Sequence, residues 1–83
     1  MDIKEIRREN LRHQQELAAK AGVNKEEFAA KCGTSAPTLS QILSPKGKRN
    51  LGDELARKIE NALLLSYGWM DTTHPEAVSY THL

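Results

Sequence analysis

The chain has 83 residues and a formal net charge of +1, enough for one domain that buries roughly 60% of its unfolded surface, so association with a second copy is expected. Only four aromatic residues (Phe28, Tyr67, Trp69, Tyr80) and few β-branched ones are present, which leaves the core to Leu, Ile and Ala and argues against a sheet-rich fold. The single Cys32 excludes an internal disulfide, the apolar run Ala62–Leu65 is too short to span a membrane, and charge from Asp2 onward excludes a secretory signal, so a cytoplasmic protein is expected.

Residues Ile3 to Ala21 read as one helix. Ile3, Ile6, Asn10, Leu17 and Ala21 fall near one stripe at helical spacing, and Gly22 follows as a left-handed stop. Arg7, Arg8 and Arg12 fall outside that stripe and read as a solvated face with Glu5, Glu9 and Glu16. A second helix starts at Asn24, which can cap it, with Glu27 three residues later and Val23 and Phe28 placed as a hydrophobic staple. It carries Phe28, Ala29 and Cys32 inward and ends at Gly33. Thr34 or Ser35 caps a third helix, with Pro37 tolerated in its first turn and Leu39, Ile42 and Leu43 as its apolar face. Ser44-Pro45-Lys46-Gly47 breaks it.

A fourth helix is expected from about Leu51 to Leu64, with Leu51, Leu55, Ile59, Ala62 and Leu63 inward and Asn50 with Asp53 as its start signal. A short last turn from Ser66 to Met70 is expected to tuck Trp69 into the bundle. These elements make one domain over residues 1–71, and residues 72–83 read as a disordered tail, lacking periodicity. The last six residues, Val78 to Leu83, resemble translated sequencing-adapter readthrough.

No acidic residue stands between Glu27 and Asp53, whereas Lys31, Lys46, Lys48 and Arg49 do, so one face of a near-neutral chain is basic and suited to a polyanion. The same stretch has a specific geometry. Gly33 allows the positive φ a tight corner needs, Ala29 four residues earlier is small enough for two helices to cross, and Leu39 and Ile42 pack beneath. Those are the steric demands of a helix-turn-helix that reads DNA.

The residues Phe28-Ala29-Ala30-Lys31-Cys32-Gly33-Thr34-Ser35, Leu39-Ser40-Gln41-Ile42-Leu43, Arg49 to Glu60, and Gly68-Trp69-Met70-Asp71 carry a resemblance. The stretch from Asn10 to Asp71 resembles the lambda-repressor-like helix-turn-helix domains of phage and prophage repressors. The resemblance implies an all-α, compact five-helix domain with a central helix-turn-helix, dimeric operator binding and, in many members, a separate C-terminal domain. Three positions depart from the family pattern. Lys25 replaces a frequent Gln, the connection Ser44 to Lys48 is longer than the usual glycine turn, and Leu64 stands where a glycine normally ends the fourth helix.

With Leu39 and Ile42 inward, Ala36, Pro37, Thr38, Ser40 and Gln41 are assigned to the exposed side of the third helix as base-contact candidates. Gln41 leads them, because a carboxamide pairs bidentately with adenine. Lys25, Thr34, Ser35, Lys46, Lys48, Arg49 and Asn50 are candidates for phosphate contacts, which position a domain without reading sequence. Cys32 reads as a small core residue and Trp69 as a core plug. His13, His74 and His82 are too scattered for a metal site, and no serine, cysteine or carboxylate has a catalytic companion. The expectation is a non-enzymatic, homodimeric repressor that binds double-stranded DNA, with no metal, cofactor, membrane or small-molecule ligand. Two other readings stand beside it: a DNA-binding antitoxin, and a helical protein-interaction module without DNA binding.

Overall fold

The computed structural model of the chain describes residues 3–44 and 49–74. The order is α1 (Ile3–Lys20), α2 (Lys25–Lys31), α3 (Ala36–Leu43), α4 (Asp53–Ala62) and a three-residue 3-10 turn (Trp69–Asp71), with no strand among the described residues. The fold is therefore all-helical, and the described residues hold four α-helices and that turn, without the fifth helix implied by the resemblance. The expected tail begins inside the described residues, since Thr72 to His74 lie against the bundle; residues 75–83 lie outside them.

Local chemistry sets most boundaries. Asn24 caps α2, its side-chain oxygen accepting from the Glu27 N–H at 2.8 Å, while its amide donates to the Glu27 carboxylate at 2.9 Å. Ser35, rather than Thr34, caps α3 through the Thr38 N–H, with Pro37 in the first turn. Three helices then close in the same manner, with a residue at positive φ just past the end and a backbone N–H returning to the last turn. Val23 returns to Ala18 behind Gly22, Thr34 to Ala29 behind Gly33, and Leu65 to Glu60 behind Leu64. Leu64 is the exception in chemistry, a non-glycine residue at φ 59 whose side chain stands in solvent.

The core comprises Leu11, Phe28, Ala29, Cys32, Leu39, Ile42, Leu51, Ala56, Ile59 and Met70. Cys32 is fully enclosed, and burial pushes its thiol up to about 11, as befits a small apolar side chain. Met70, not Trp69, is the plug at the end of the chain; Trp69 packs half-buried and stacks on the His74 ring at 4.1 Å. The fourth helix starts two residues later than its apolar repeat suggests. Gly52 is its N-cap, extended in backbone and with no side-chain bond, and Leu51 before it is drawn into the core.

The expected inward stripe of α1 is corrected more sharply. Ile3 and Leu17 are nearly half exposed, Ala21 is exposed, and the buried residues are Arg7, Asn10 and Leu11. Arg7 is no solvated residue. Its Nε donates to Asp71 at 2.6 Å, its Nη1 to the Leu51 carbonyl at 2.9 Å, and its Nη2 to Asp53. Asn10 donates to the carbonyls of Met70 and Thr72, both at 2.9 Å. From the other side, the buried Glu60 carboxylate accepts the N–H groups of Gly68 and Met70. Arg57 completes the cluster by pairing with Asp71 at 2.8 Å and Glu60 at 3.2 Å while lying over the Tyr67 ring.

Two outcomes are expected. Leu64→Gly removes the left-handed penalty of a β-carbon at little cost in packing, and should stabilise by about 1 kcal/mol, raising Tm by roughly 4–8 °C in a domain of this size; calorimetry checks it. The hydrogen bond from Arg7 holds the Asp71 carboxyl below its ordinary value, opposed by burial and reinforced by Arg57. A depressed folded value means the stabilisation is complete above the unfolded carboxyl value of roughly 3.9 and is lost as pH falls through the lower folded one. Asp71→Asn should therefore cost about 2 kcal/mol near neutrality, discounted for the quarter of Asp71 that stays exposed. In acid denaturant titrations that cost should vanish.

Candidate nucleic-acid interface

The bend between α2 and α3 is built at Gly33. Its φ of +79 is one reason for glycine, and a second comes from α4: a Cβ placed there would sit 2.8 Å from Cδ of Lys58. The Lys58 stem thus crosses the corner at the van der Waals limit, and Ala29 lies buried beneath it. With Leu39 and Ile42 fully enclosed, α3 is pinned by one face and presents the other to solvent.

Along that outer face Pro37, Ser40 and Gln41 are exposed. Ala36 is not on it, for it is half-buried and packs on the core. Thr38 is half-buried, and its hydroxyl is 2.8 Å from the Ser35 hydroxyl. Two open grooves flank the helix. One, of about 360 Å³, is bordered by Gln15, Lys25, Ala36 and Ser40. The other, of about 450 Å³, lies between the Gly33 corner and the start of α4, bordered by Thr34, Thr38, Arg49, Asn50 and Lys58, with Glu54 as its one carboxylate. Residues expected to act together are thus divided, Lys25 and Ser40 on one flank, Thr34, Arg49 and Asn50 on the other. Lys46 and Lys48, from the same expected phosphate set, lie outside the described residues.

A family model described as helix-turn-helix matches residues 20–70. The chain belongs to the helix-turn-helix family. No curated protein and no solved structure matches it. The helix-turn-helix is a DNA-binding regulatory domain, not a catalytic one, and α2 and α3 are the two helices of the motif. No helix among the described residues is long and apolar enough to cross a membrane.

The charged groups of this helix-turn-helix protein fall into two sets. Arg7, Arg12 and Arg57 are each paired with a carboxylate. Lys25, Arg49 and Lys58, around α3, have no ion pair among the described residues, so their charge is available to an outside anion. Lys58 was not among the residues expected from the sequence. Its signal was present but indirect, because a lysine one position before Ile59 on α4 is placed beside the corner only once the helices are packed.

If the Lys58 stem crosses the corner, Gly33 and Lys58 are energetically coupled. Gly33→Ala should destabilise by about 2 kcal/mol in the natural background, and by less in Lys58→Ala, where only the positive-φ penalty remains. Equal costs in a double-mutant cycle read by denaturant titration would show that the stem lies elsewhere.

Proposed function

We propose that the chain is a sequence-specific transcriptional repressor of the phage and prophage kind it resembles, acting as a homodimer on a palindromic double-stranded operator. In this reading α3 lies in the major groove, with Gln41 as the principal base reader. Ser40 and Pro37 flank it, Thr38 reads from the margin after satisfying Ser35, and Ala36 contributes by shape alone. Backbone phosphates are held by Lys25 on one side of α3, and by Thr34, Ser35, Arg49 and Asn50 on the other. Lys58 joins this second set, and Lys46 and Lys48 belong to it by sequence.

The single observation that supports the reading is the outward face of α3, exposed at Pro37, Ser40 and Gln41 and bounded on both flanks by cations that have no ion pair among the described residues. A helix held by one face, with free positive charge on both sides of the other, suits a polyanionic groove. Homodimer formation follows from the modest size of the domain and from the need of a palindromic site for two-fold symmetry.

Selection of bound duplexes from a random pool tests this. A palindromic motif with half-sites about 10 base pairs apart, or a multiple of that, is expected. Gln41→Ala should relax preference at one position per half-site, worth about 1–3 kcal/mol of discrimination, while leaving the salt dependence of affinity nearly unchanged. Arg49→Ala and Lys58→Met should do the reverse, each lowering the slope of log affinity against log salt by about one with the motif intact. Failure to enrich any duplex would sink the proposal.

A further inference from the structure

The carboxyl end of α3 cannot be closed the way the other three helices are. In α1, α2 and α4 a residue at positive φ follows the cap, and the next N–H returns to the last turn. After α3 the cap is Ser44, with φ −62 and ψ 134, and the residue after it is Pro45. Proline has no N–H to give and a φ fixed near −65°, so it can neither adopt the left-handed turn nor donate the bond that Gly22, Gly33 and Leu64 each give at this position to Ala19, Ala30 and Asn61. It also holds Ser44 extended. The last turn of α3 has no basic residue of its own to face the negative end of the helix dipole.

Two arginines of α1 take that place. Arg8 donates from Nε to the Ile42 carbonyl at 3.1 Å, and Arg12 donates from Nη2 to the Leu43 carbonyl at 3.3 Å. Arg12 is itself steadied by an ion pair with Glu9 one turn earlier. These arginines were expected to be solvated; instead, two cations one turn apart on α1 hold two successive carbonyls at the end of α3. Both groups are charged donors, and such bonds are about twice as strong as neutral ones.

We infer that Arg8 and Arg12 are positioning residues for DNA reading, fixing the pitch of α3 from its carboxyl end while Ser35 fixes it from the amino end. This inference rests on the proposed DNA-binding role of α3. Gln41 precedes Ile42 directly, so its reach into a groove depends on where that last turn is held. Arg8 and Arg12 need touch no nucleic acid to do this.

The test compares the chain with the double variant Arg8→Met/Arg12→Met, which keeps the apolar stems, and with Arg8→Lys/Arg12→Lys, which restores the charges. Affinity for the duplex selected by the wild type and for a scrambled duplex is measured over a range of salt, well below each protein's Tm. The methionine variant is expected to lose about tenfold in the ratio of selected to scrambled affinity, the order of one lost base contact. Its salt slope should stay unchanged and the lysine variant should recover most of the ratio. A slope lowered by about one per arginine, with both duplexes weakened alike, would make these residues phosphate contacts and overturn the inference. An unchanged ratio and slope, whatever happens to Tm, would reduce them to fold stabilisers and overturn it equally. If the wild type itself shows no salt-dependent binding to any duplex, the DNA-binding proposal falls and this inference with it; if it binds, the methionine variant judges the inference alone.

Discussion

The arrangement of the bundle depends on the burial of one guanidinium. Taking an arginine out of water costs several kcal/mol, and the charge is tolerated only when its donors are filled with good geometry. Arg7 meets that demand with acceptors from three places in the chain: the Leu51 carbonyl, the Asp53 carboxylate and the Asp71 carboxylate. The position of α1 therefore fixes the connection into α4, the first residue of α4 and the terminal turn together. The Leu51 carbonyl faces this charge while its side chain sits in the core, and the extended Gly52 that follows is the N-cap from which α4 begins at Asp53. Asp71, shared between Arg7 and Arg57, then ties the turn to both long helices, with Asn10 and Glu60 taking up its backbone groups from opposite sides.

That distribution of charge separates two kinds of cation. Those inside the scaffold have their partners and contribute to fold; those bordering α3 have no ion pair among the described residues. A net charge near zero conceals the difference, since the acids that balance the sum stand largely in α1, α4 and the first turn of α2. The basic face arises because Asp53, Glu60 and Asp71 are turned toward Arg7 and Arg57, which leaves Glu54 as the one carboxylate bordering the described grooves beside α3.

What could be read from the sequence was local. Asn24 with Glu27, the glycines at 22 and 33, Ser35 before Pro37, and the spacing of Ala29 to Leu39 all act within a few residues, and each sets a boundary where it was expected. At Leu64 only the resemblance gave a signal, as a position where a glycine normally ends the fourth helix; the apolar repeat ran the helix on to Leu64, two residues past its end at Ala62. The face of α1 was not. An arginine between Ile6 and Arg8 reads as solvated unless its acceptors, 44 to 64 positions away, are known to converge on it. Arg8 and Arg12 were misread for the same reason, their partners being backbone carbonyls that no side-chain pattern reveals. On α3 the outward placement of Pro37, Ser40 and Gln41 followed from helical period alone. Ala36 and Thr38 turned inward because the first turn leans on the core and on its own cap.

The match to the helix-turn-helix family begins at residue 20 and ends at residue 70. Nearly all of α1 precedes those limits and Asp71 follows them, so the guanidinium that organises the bundle and one of its two carboxylates both lie outside the stretch the family model matches. The stretch the family model matches and the set of residues that tie the bundle together are thus different lengths of chain. A fragment trimmed to the matched segment would leave Asp53 without its cation, the terminal turn without Asn10, and the core without Leu11. Grafting the motif into another protein would require the first helix to travel with it, as the mould in which the reading unit keeps its shape.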